Sequence, residues 1–187
     1  INDRFSWGLG LFSRFGLGTE FPLTWPGRYN SYYARIKSLE LNPNIAYKVN
    51  EKFSIAGGLN VMWLDLKLQQ NILTGAGDVD STLKGDSWGW GFNLAMQYKP
   101  VEDWYLGVSY RSRVSQNISG GEANFIKPPG LPPFVFNNTN VSGGLHLPDE
   151  VFAGVAWKVV PTVTLGGGVY WTRWSSFDKL QLTYDIA

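Results

Sequence analysis

The feature that most constrains this chain is a side-chain period of two that is held over strand after strand. Within residues 87–99, Trp88, Trp90, Phe92, Leu94, Met96 and Tyr98 share one parity, while Gly89, Gly91, Asn93, Ala95 and Gln97 share the other. Successive side chains of an extended strand point to opposite faces, so one face of this segment meets something apolar and the other something wet or tightly packed. The same division recurs. Phe5, Trp7, Leu9 and Leu11 oppose Ser6, Gly8 and Gly10; Lys37, Leu39, Leu41, Ile45, Tyr47 and Val49 oppose Ser38, Glu40, Asn42, Asn44 and Lys48. Leu106, Val108 and Tyr110 oppose Gly107, Ser109, Arg111 and Arg113, which puts both guanidinium groups on the inner face. Inner faces so rich in Gly, Ser, Asn and charge do not suit a dry protein core. They suit a transmembrane β-barrel wall, with an apolar band toward lipid and aromatics at its rims.

The parity fails once. After Trp63 the apolar residues become Leu64, Leu66 and Leu68, with Asp65 and Lys67 between them. The switch reads as a bulge or as strand extending above the bilayer.

Connection lengths carry a second, independent signal. Short turns fall at 50–52, 100–103 and 159–161, and long polar or irregular stretches at about 18–35, 70–86 and 118–146. Bacterial outer-membrane barrels pair tight periplasmic turns with long external loops, so the short turns are assigned to the periplasm. About seven antiparallel strands result, near 4–15, 36–49, 53–69, 87–99, 104–118, 145–158 and 162–184. Seven is odd, and single-chain bacterial barrels carry an even count, so the chain is expected to be part of a larger barrel.

Composition narrows the alternatives. Sixteen Lys+Arg against fifteen Asp+Glu leave a net charge of +1, with no broad basic surface for nucleic acid. Mean hydropathy is −0.14, and no apolar run approaches the length of a helical span, as expected when the membrane signal is hidden in alternation. Nine tryptophans and an aromatic content of 16% are concentrated in the strands. Cysteine is absent. The external stretch 118–146 holds Phe125, Ile126, Leu131, Phe134, Val135 and Phe136 among its prolines, and a water-exposed loop this apolar is expected either to pack on a neighbouring loop or to receive an apolar ligand.

Catalysis finds little support. The single histidine, His146, lies at a strand mouth with no nearby Ser or Cys pairing expected and reads as an interfacial polar residue. Asp78 and Asp80 lack the remaining spacing of a calcium loop, and Gly166, Gly167 and Gly168 precede no helix, so neither metal nor cofactor is expected.

Several segments resemble the outer-membrane long-chain fatty acid transporters (FadL), a family that includes aromatic-hydrocarbon channels. Ile1-Asn2-Asp3-Arg4-Phe5-Ser6-Trp7-Gly8 with Phe15-Gly16-Leu17-Gly18-Thr19-Glu20-Phe21 is similar to that family's third strand and its kink. Asp86-Ser87-Trp88-Gly89-Trp90-Gly91-Phe92-Asn93 resembles its sixth, Val108-Ser109-Tyr110-Arg111-Ser112 its seventh, and Leu147-Pro148-Asp149 with Trp171-Thr172-Arg173-Trp174-Ser175-Ser176-Phe177 its eighth and ninth. The resemblance implies strands three to nine of a 14-stranded barrel, with an N-terminal hatch and later strands absent from residues 1–187.

It also implies a function: capture of a hydrophobic ligand in a groove between external loops, and sideways release into lipid beside a kinked strand, here at Phe15, Gly16 and Leu17. Phe125, Ile126, Leu131, Phe134 and Phe136 would line the groove. Arg111 and Arg113 would either bind a fatty acid carboxylate or join a structural network with Glu40, Asp65 or a hatch carboxylate. Some fatty-acid members carry a basic residue near the position of Gln70, which keeps an uncharged ligand open. The expected partners are a fatty acid or aromatic hydrocarbon, outer-membrane lipid and lipopolysaccharide, and the expected state is a monomer. A surface-interaction barrel without transport is the alternative of a different class.

Overall fold

The computed structural model describes residues 3–177 and 180–185; Ile1 and Asn2 of the opening motif lie outside the described residues. One antiparallel sheet of eleven strands contains all the extended structure described. Its elements are β1 (Phe5–Phe12), β2 (Leu17–Glu20), β3 (Tyr33–Lys48), β4 (Phe53–Thr74), β5 (Gly77–Tyr98), β6 (Trp104–Arg111), β7 (Val114–Ile126), β8 (Thr139–Leu147), β9 (Glu150–Val160), β10 (Val163–Thr172) and β11 (Gln181–Tyr184). Short 3-10 helices span Pro26–Tyr29 and Trp174–Ser176. The pairs β1–β2, β6–β7, β8–β9 and β10–β11 are each one interrupted strand, so the seven expected runs are present, each beside its predecessor in the chain.

The alternation is carried by the backbone without a slip along β5. Val79, Ser81, Ser87, Gly89, Gly91 and Asn93 are buried on the concave side, while Trp88 and Trp90 are 68% and 77% exposed on the other. From Trp88 to Tyr98 the strand rises ~33 Å at ~3.3 Å per residue. A tilt of about 40° turns that into roughly 25 Å of height, the apolar band of an outer-membrane barrel. Trp104 and Trp157 stack at 5.4 Å close to the short turns and belong to the periplasmic rim.

Two connections differ from expectation. Residues 70–86 are not a loop: β4 and β5 pair from Phe53↔Tyr98 to Thr74↔Gly77 in one unbroken register, closed by Gly75 and Ala76, with Gly77 at φ 123°. Each of these strands has 22 residues, whereas crossing a membrane takes ~9–11, so about half of the hairpin stands above the bilayer. There both faces change partners, water replacing lipid outside, which explains why the segment reads as polar and irregular. The parity switch after Trp63 is therefore an emergence from lipid and not a bulge: Asp65 and Lys67 remain on the outward parity, and Met62, Leu64 and Leu66 are buried inside. The remaining long loop shortens to 127–138, because β7 and β8 continue to either side of it.

Proline sits in the middle of the lipid-facing wall at one point, and its cost is met locally. Pro43 faces Leu59 across β3 and β4 and has no N–H to give, and the ladder skips there between Leu41↔Val61 and Asn44↔Gly58. The Asn42 amide donates to the Leu59 carbonyl at 2.7 Å in its place. It also bonds Asn60 and Asn93 at 2.6 and 2.7 Å, so that four asparagines with Asn44 form a polar layer across the inner face. Removing the substitute donor in Asn42→Ala is expected to destabilise the intact protein in lipid vesicles by about 1–3 kcal/mol, read by urea unfolding. Adding Pro43→Ala restores a backbone N–H and is expected to recover part of that loss; equal stability of the single and double variants would show that the donor does not matter.

Candidate functional site

At the extracellular end, the 127–138 loop and the top of the sheet enclose an open groove of about 520 Å³ lined by Ile72, Phe125, Phe134, Phe136, Thr139 and Tyr184 among others. The Phe125 and Phe136 rings lie 5.8 Å apart. Phe136 has a left-handed φ of 51°, a conformation that costs a bulky residue ~1–3 kcal/mol and that its surroundings must hold. Lys127 contributes by donating from Nζ to the carbonyls of Pro133 and Val135 at 3.0 and 2.8 Å. Of the expected groove residues, Phe125, Phe134 and Phe136 come together. Ile126 points away from Phe125 and is 73% exposed, and Leu131 is half-buried outside the lining.

Below the groove, apolar side chains continue without interruption. Phe125 packs on a buried cluster of Leu83, Ala123 and Val141, and Leu68 packs on both that cluster and a larger one beneath it. The larger cluster joins Met62, Leu64 and Leu66 of β4 to Val114, Ile118, Leu145 and Leu147 of β7 and β8, and includes Phe15.

β7 reaches this cluster by leaving the plane of the wall. Its ladder with β5 stops at Lys84↔Glu122, and the wall resumes at Asn93↔Arg111. Between these points β7 lies over Gly85 and Gly89, where an added Cβ would stand 2.5 Å from Ile118 and 2.6 Å from the Ser115 carbonyl. Because Arg111 faces Glu150 and Val114 faces Leu147, the two strands bend together at Ser112-Arg113 and Pro148-Asp149. The bend corrects one expectation. Arg111 is half-buried on the inner side, but Arg113 is exposed between buried Ser112 and Val114 and does not stand beside it.

The break between β1 and β2, residues 13–16, lies opposite only three residues of β3, since Phe12 faces Glu40 and Leu17 faces Ile36. Both backbone groups of Phe15 are taken by one side chain: its N–H donates to Ser38 Oγ at 3.0 Å, and the same hydroxyl donates to its carbonyl at 2.6 Å. Phe15 is buried, with its ring edge-on to Trp174 at 6.4 Å, and exposed Leu17 opens β2. Gly16 takes an ordinary φ, and a Cβ there would meet nothing within 4 Å, so the break does not depend on its being glycine.

Sequence reasoning missed Arg14, which turns inward beside Phe15. Its Nη1 bonds Glu40 at 3.0 Å, its Nε lies 3.0 Å from Glu150, and Nη2 donates to the Pro148 carbonyl at 3.4 Å. Arg111 holds the other oxygen of fully buried Glu40 at 2.7 Å, with its guanidinium over the Phe12 ring. Two cations and two carboxylates thus close a neutral quartet beneath the apolar clusters. Consecutive inward residues at 14 and 15 in an otherwise alternating strand mark the site.

Other polar groups serve the extracellular surface. The 3-10 turn at Pro26–Tyr29 caps the β4–β5 hairpin through Arg28 and Asp78 at 3.1 Å. Burial alone would raise the Asp78 carboxyl, but hydrogen bonds from Arg28, Tyr29 and Asn71 hold it below its ordinary value. Burial and a bond to Asp80 raise the Tyr32 phenol. His146 does have a serine partner, contrary to expectation: Nδ1 lies 2.9 Å from Ser115 Oγ, its cross-strand neighbour. The pair is exposed, and among the described residues no carboxylate bonds the imidazole to complete a nucleophilic triad.

Comparison with known proteins agrees with this architecture. The model of a family described as "Outer membrane protein transport protein (OMPP1/FadL/TodX)" matches residues 1–186. A long-chain fatty acid transport protein of Escherichia coli O6:H1 is 27% identical over 217 residues, which take in 99% of this chain and 49% of that protein. The crystal structure of a Pseudomonas aeruginosa FadL homologue superposes with a TM-score of 0.86 at 23% identity, covering 99% of this chain and 49% of that one. The Pseudomonas putida toluene transporter TodX superposes with a TM-score of 0.71 at 14% identity, covering 98% and 55%. The chain therefore spans about half the length of the curated relatives it matches.

The geometry of the break yields a direct expectation. In Ser38→Ala the Phe15 amide loses its acceptor, and its hydrogen exchange is expected to accelerate about tenfold or more, as loss of a buried bond worth ~1–3 kcal/mol requires. Unchanged exchange at Phe15 would mean that the break is held by its side chains alone.

Proposed function

Because this chain belongs to the outer membrane protein transport family OMPP1/FadL/TodX, as the match over residues 1–186 establishes, we propose that it forms part of an outer-membrane barrel that carries hydrophobic compounds, long-chain fatty acids by preference. The observation that carries this reading is the continuous run of apolar side chains from the surface groove through Phe125, Leu68, Leu66, Leu64 and Met62 to Phe15. A structural barrel has no need to place its apolar inner face where the outer face has already emerged into water. Met62, Leu64 and Leu66 are packed under β7 and β8, so an apolar molecule follows this run by parting those strands, and it is favoured at each step by being kept from water.

Length favours a chain over a ring. From Leu68 to Met62 the inner face extends ~20 Å at ~3.3 Å per residue, the reach of a long acyl chain and far more than a single aromatic ring. The fatty acid transport function named for the Escherichia coli relative agrees, while the likeness to TodX keeps aromatic hydrocarbons as the second reading. Below Phe15 lie the charged quartet and the asparagine layer, which an alkyl chain enters only at the cost of desolvating them. Release is therefore assigned to the side, at the break formed by residues 13–16, with Phe15, Gly16 and Leu17 at the exit.

Two measurements on the full-length protein test this. Replacing Phe125, Phe134 and Phe136 together by Ser is expected to weaken binding of radiolabelled oleate at the cell surface by about tenfold or more, since each aromatic removed forfeits ~1 kcal/mol or more of apolar contact; unaltered binding and uptake would exclude the groove as the capture site. Arg111 is already committed to Glu40, so Arg111→Gln is expected to change oleate and toluene binding alike. Selective loss of oleate would instead place the ligand carboxylate on Arg111.

A further inference from the structure

We propose that Arg14 reads the carboxylate of an anionic ligand and, by exchanging it for Glu150, releases the strand break from the far side of the sheet. The inference rests on the transport reading above and assigns a residue and a ligand group to it. Arg14 sits within the break itself, yet two of its contacts, Glu150 and the Pro148 carbonyl, lie where β8 gives way to β9, a region remote in the sheet order from β1. It therefore ties the break across the concave interior.

The two ends of this tie differ in quality. Toward Glu40 the contact is a hydrogen-bonded ion pair at 3.0 Å. Toward Glu150 the atoms are equally close, but Arg14 Nε and Glu150 Oε2 are both buried without a hydrogen-bond partner. A guanidinium edge so placed has a donor unspent, and a carboxylate free to choose its approach makes the better-aligned bond. The site is also in the right place: Arg14 is next to Phe15, a member of the larger apolar cluster, and its guanidinium stands 4.9 Å from the Phe15 ring centroid. A fatty acid lying along the clusters with its carboxylate leading arrives at Arg14 before any other described cation of the quartet is free, because Arg111 holds Glu40 at 2.7 Å. Displaced Glu150 retains Arg111 opposite it in the register and the Tyr170 hydroxyl beside it, so it is not left without company. Once Glu150 is replaced, the break keeps its local bonds to Ser38 and Glu40, and across the interior Arg14 retains only its longer 3.4 Å bond to the Pro148 carbonyl.

The test compares oleate with oleyl alcohol, the same chain with and without the carboxylate, in vesicles containing the full-length protein. Transfer rate and hydrogen exchange at the Leu17 amide are both followed. In the native protein oleate is expected to transfer faster than the alcohol and to accelerate Leu17 exchange, whereas the alcohol leaves that exchange unchanged. Arg14→Gln is expected to bring the oleate-to-alcohol ratio down by about tenfold, the equivalent of one charge-assisted hydrogen bond. Glu150→Gln, which weakens the competitor and keeps Arg14, is expected to raise Leu17 exchange without ligand and to tighten oleate binding. Should Arg14→Gln fail to fold, Arg14→Lys, which keeps the charge without the planar fork, is expected to fall between it and the native protein. An unaltered ratio and unaltered Leu17 exchange in Glu150→Gln and in the Arg14 variant would overturn the proposal. Transfer of neither ligand above empty vesicles by the native protein would instead sink the transport reading on which it rests.

Discussion

Hydrocarbon offers a peptide group nothing to bond with, and the design of this wall follows from that limit. Within the band between Trp88 and Tyr98, β4 and β5 satisfy each other residue by residue. Where the ladder fails, a side chain has been brought in to do the backbone's work. Asn42 supplies the donor that Pro43 lacks, and the Ser38 hydroxyl serves as both donor and acceptor for Phe15. These repairs differ in kind. The first preserves the wall, because the asparagines bind one another into a layer. The second permits a departure from it, since a hydroxyl from β3 holds the break close without restoring strand pairing.

The second constraint is geometric. A period-two strand has two faces, and this sheet uses both as apolar surfaces at different heights. Below Trp63 the outer face is apolar because lipid touches it; above Trp63 it carries Asp65 and Lys67, and the inner face takes over with Leu64 and Leu66. Since the β4–β5 register never slips, the change is one of sequence alone. It costs nothing in backbone hydrogen bonding and creates an apolar interior at the level where the exterior is wet. Only an inward-bent β7 and β8 can cover that interior, and the glycines at 85 and 89 are what allow their backbone so close.

Much of this was legible from residue types. Parity located the strands, the faces and the lipid band, because burial on one side of a strand leaves a mark at every second position. Connections were less legible. The stretch 70–86 carries Asp78, Asp80, Lys84 and Asp86 on the parity that lower down holds tryptophans, and Gly77 and Gly85 on the other, because neither face meets lipid there, and a solvated strand then resembles a loop. Arg113 was placed by extrapolating parity through Ser112, and a bend resets parity without a signature as plain as proline, although Pro148 on the opposite strand marks it. Ser115 and His146 are 31 residues apart and become neighbours only through the β7–β8 register, which no local pattern reveals. Arg14 was overlooked for the opposite reason: a charged residue at a strand end is ordinarily taken to be solvated.

The charged quartet fixes how these parts act together. Buried ion pairs seldom add stability beyond what well-packed apolar side chains would supply, so the presence of Arg14, Glu40, Arg111 and Glu150 beneath an apolar core calls for a role other than strength. Their value lies in what they refuse. On the proposed transport reading, an apolar molecule moving from Leu66 toward Phe15 would meet two arginines and two glutamates already paired, and moving further along the barrel axis would mean separating them in a medium of low dielectric. Moving sideways at residues 13–16 would displace a segment that has no strand ladder to lose and is held instead by the Ser38 bonds to Phe15 and the contacts of Arg14. On the lateral-release reading proposed above, the difference between those two costs would direct a hydrophobic ligand toward the bilayer, because the quartet is neutral, largely buried and anchored on both sides of the break.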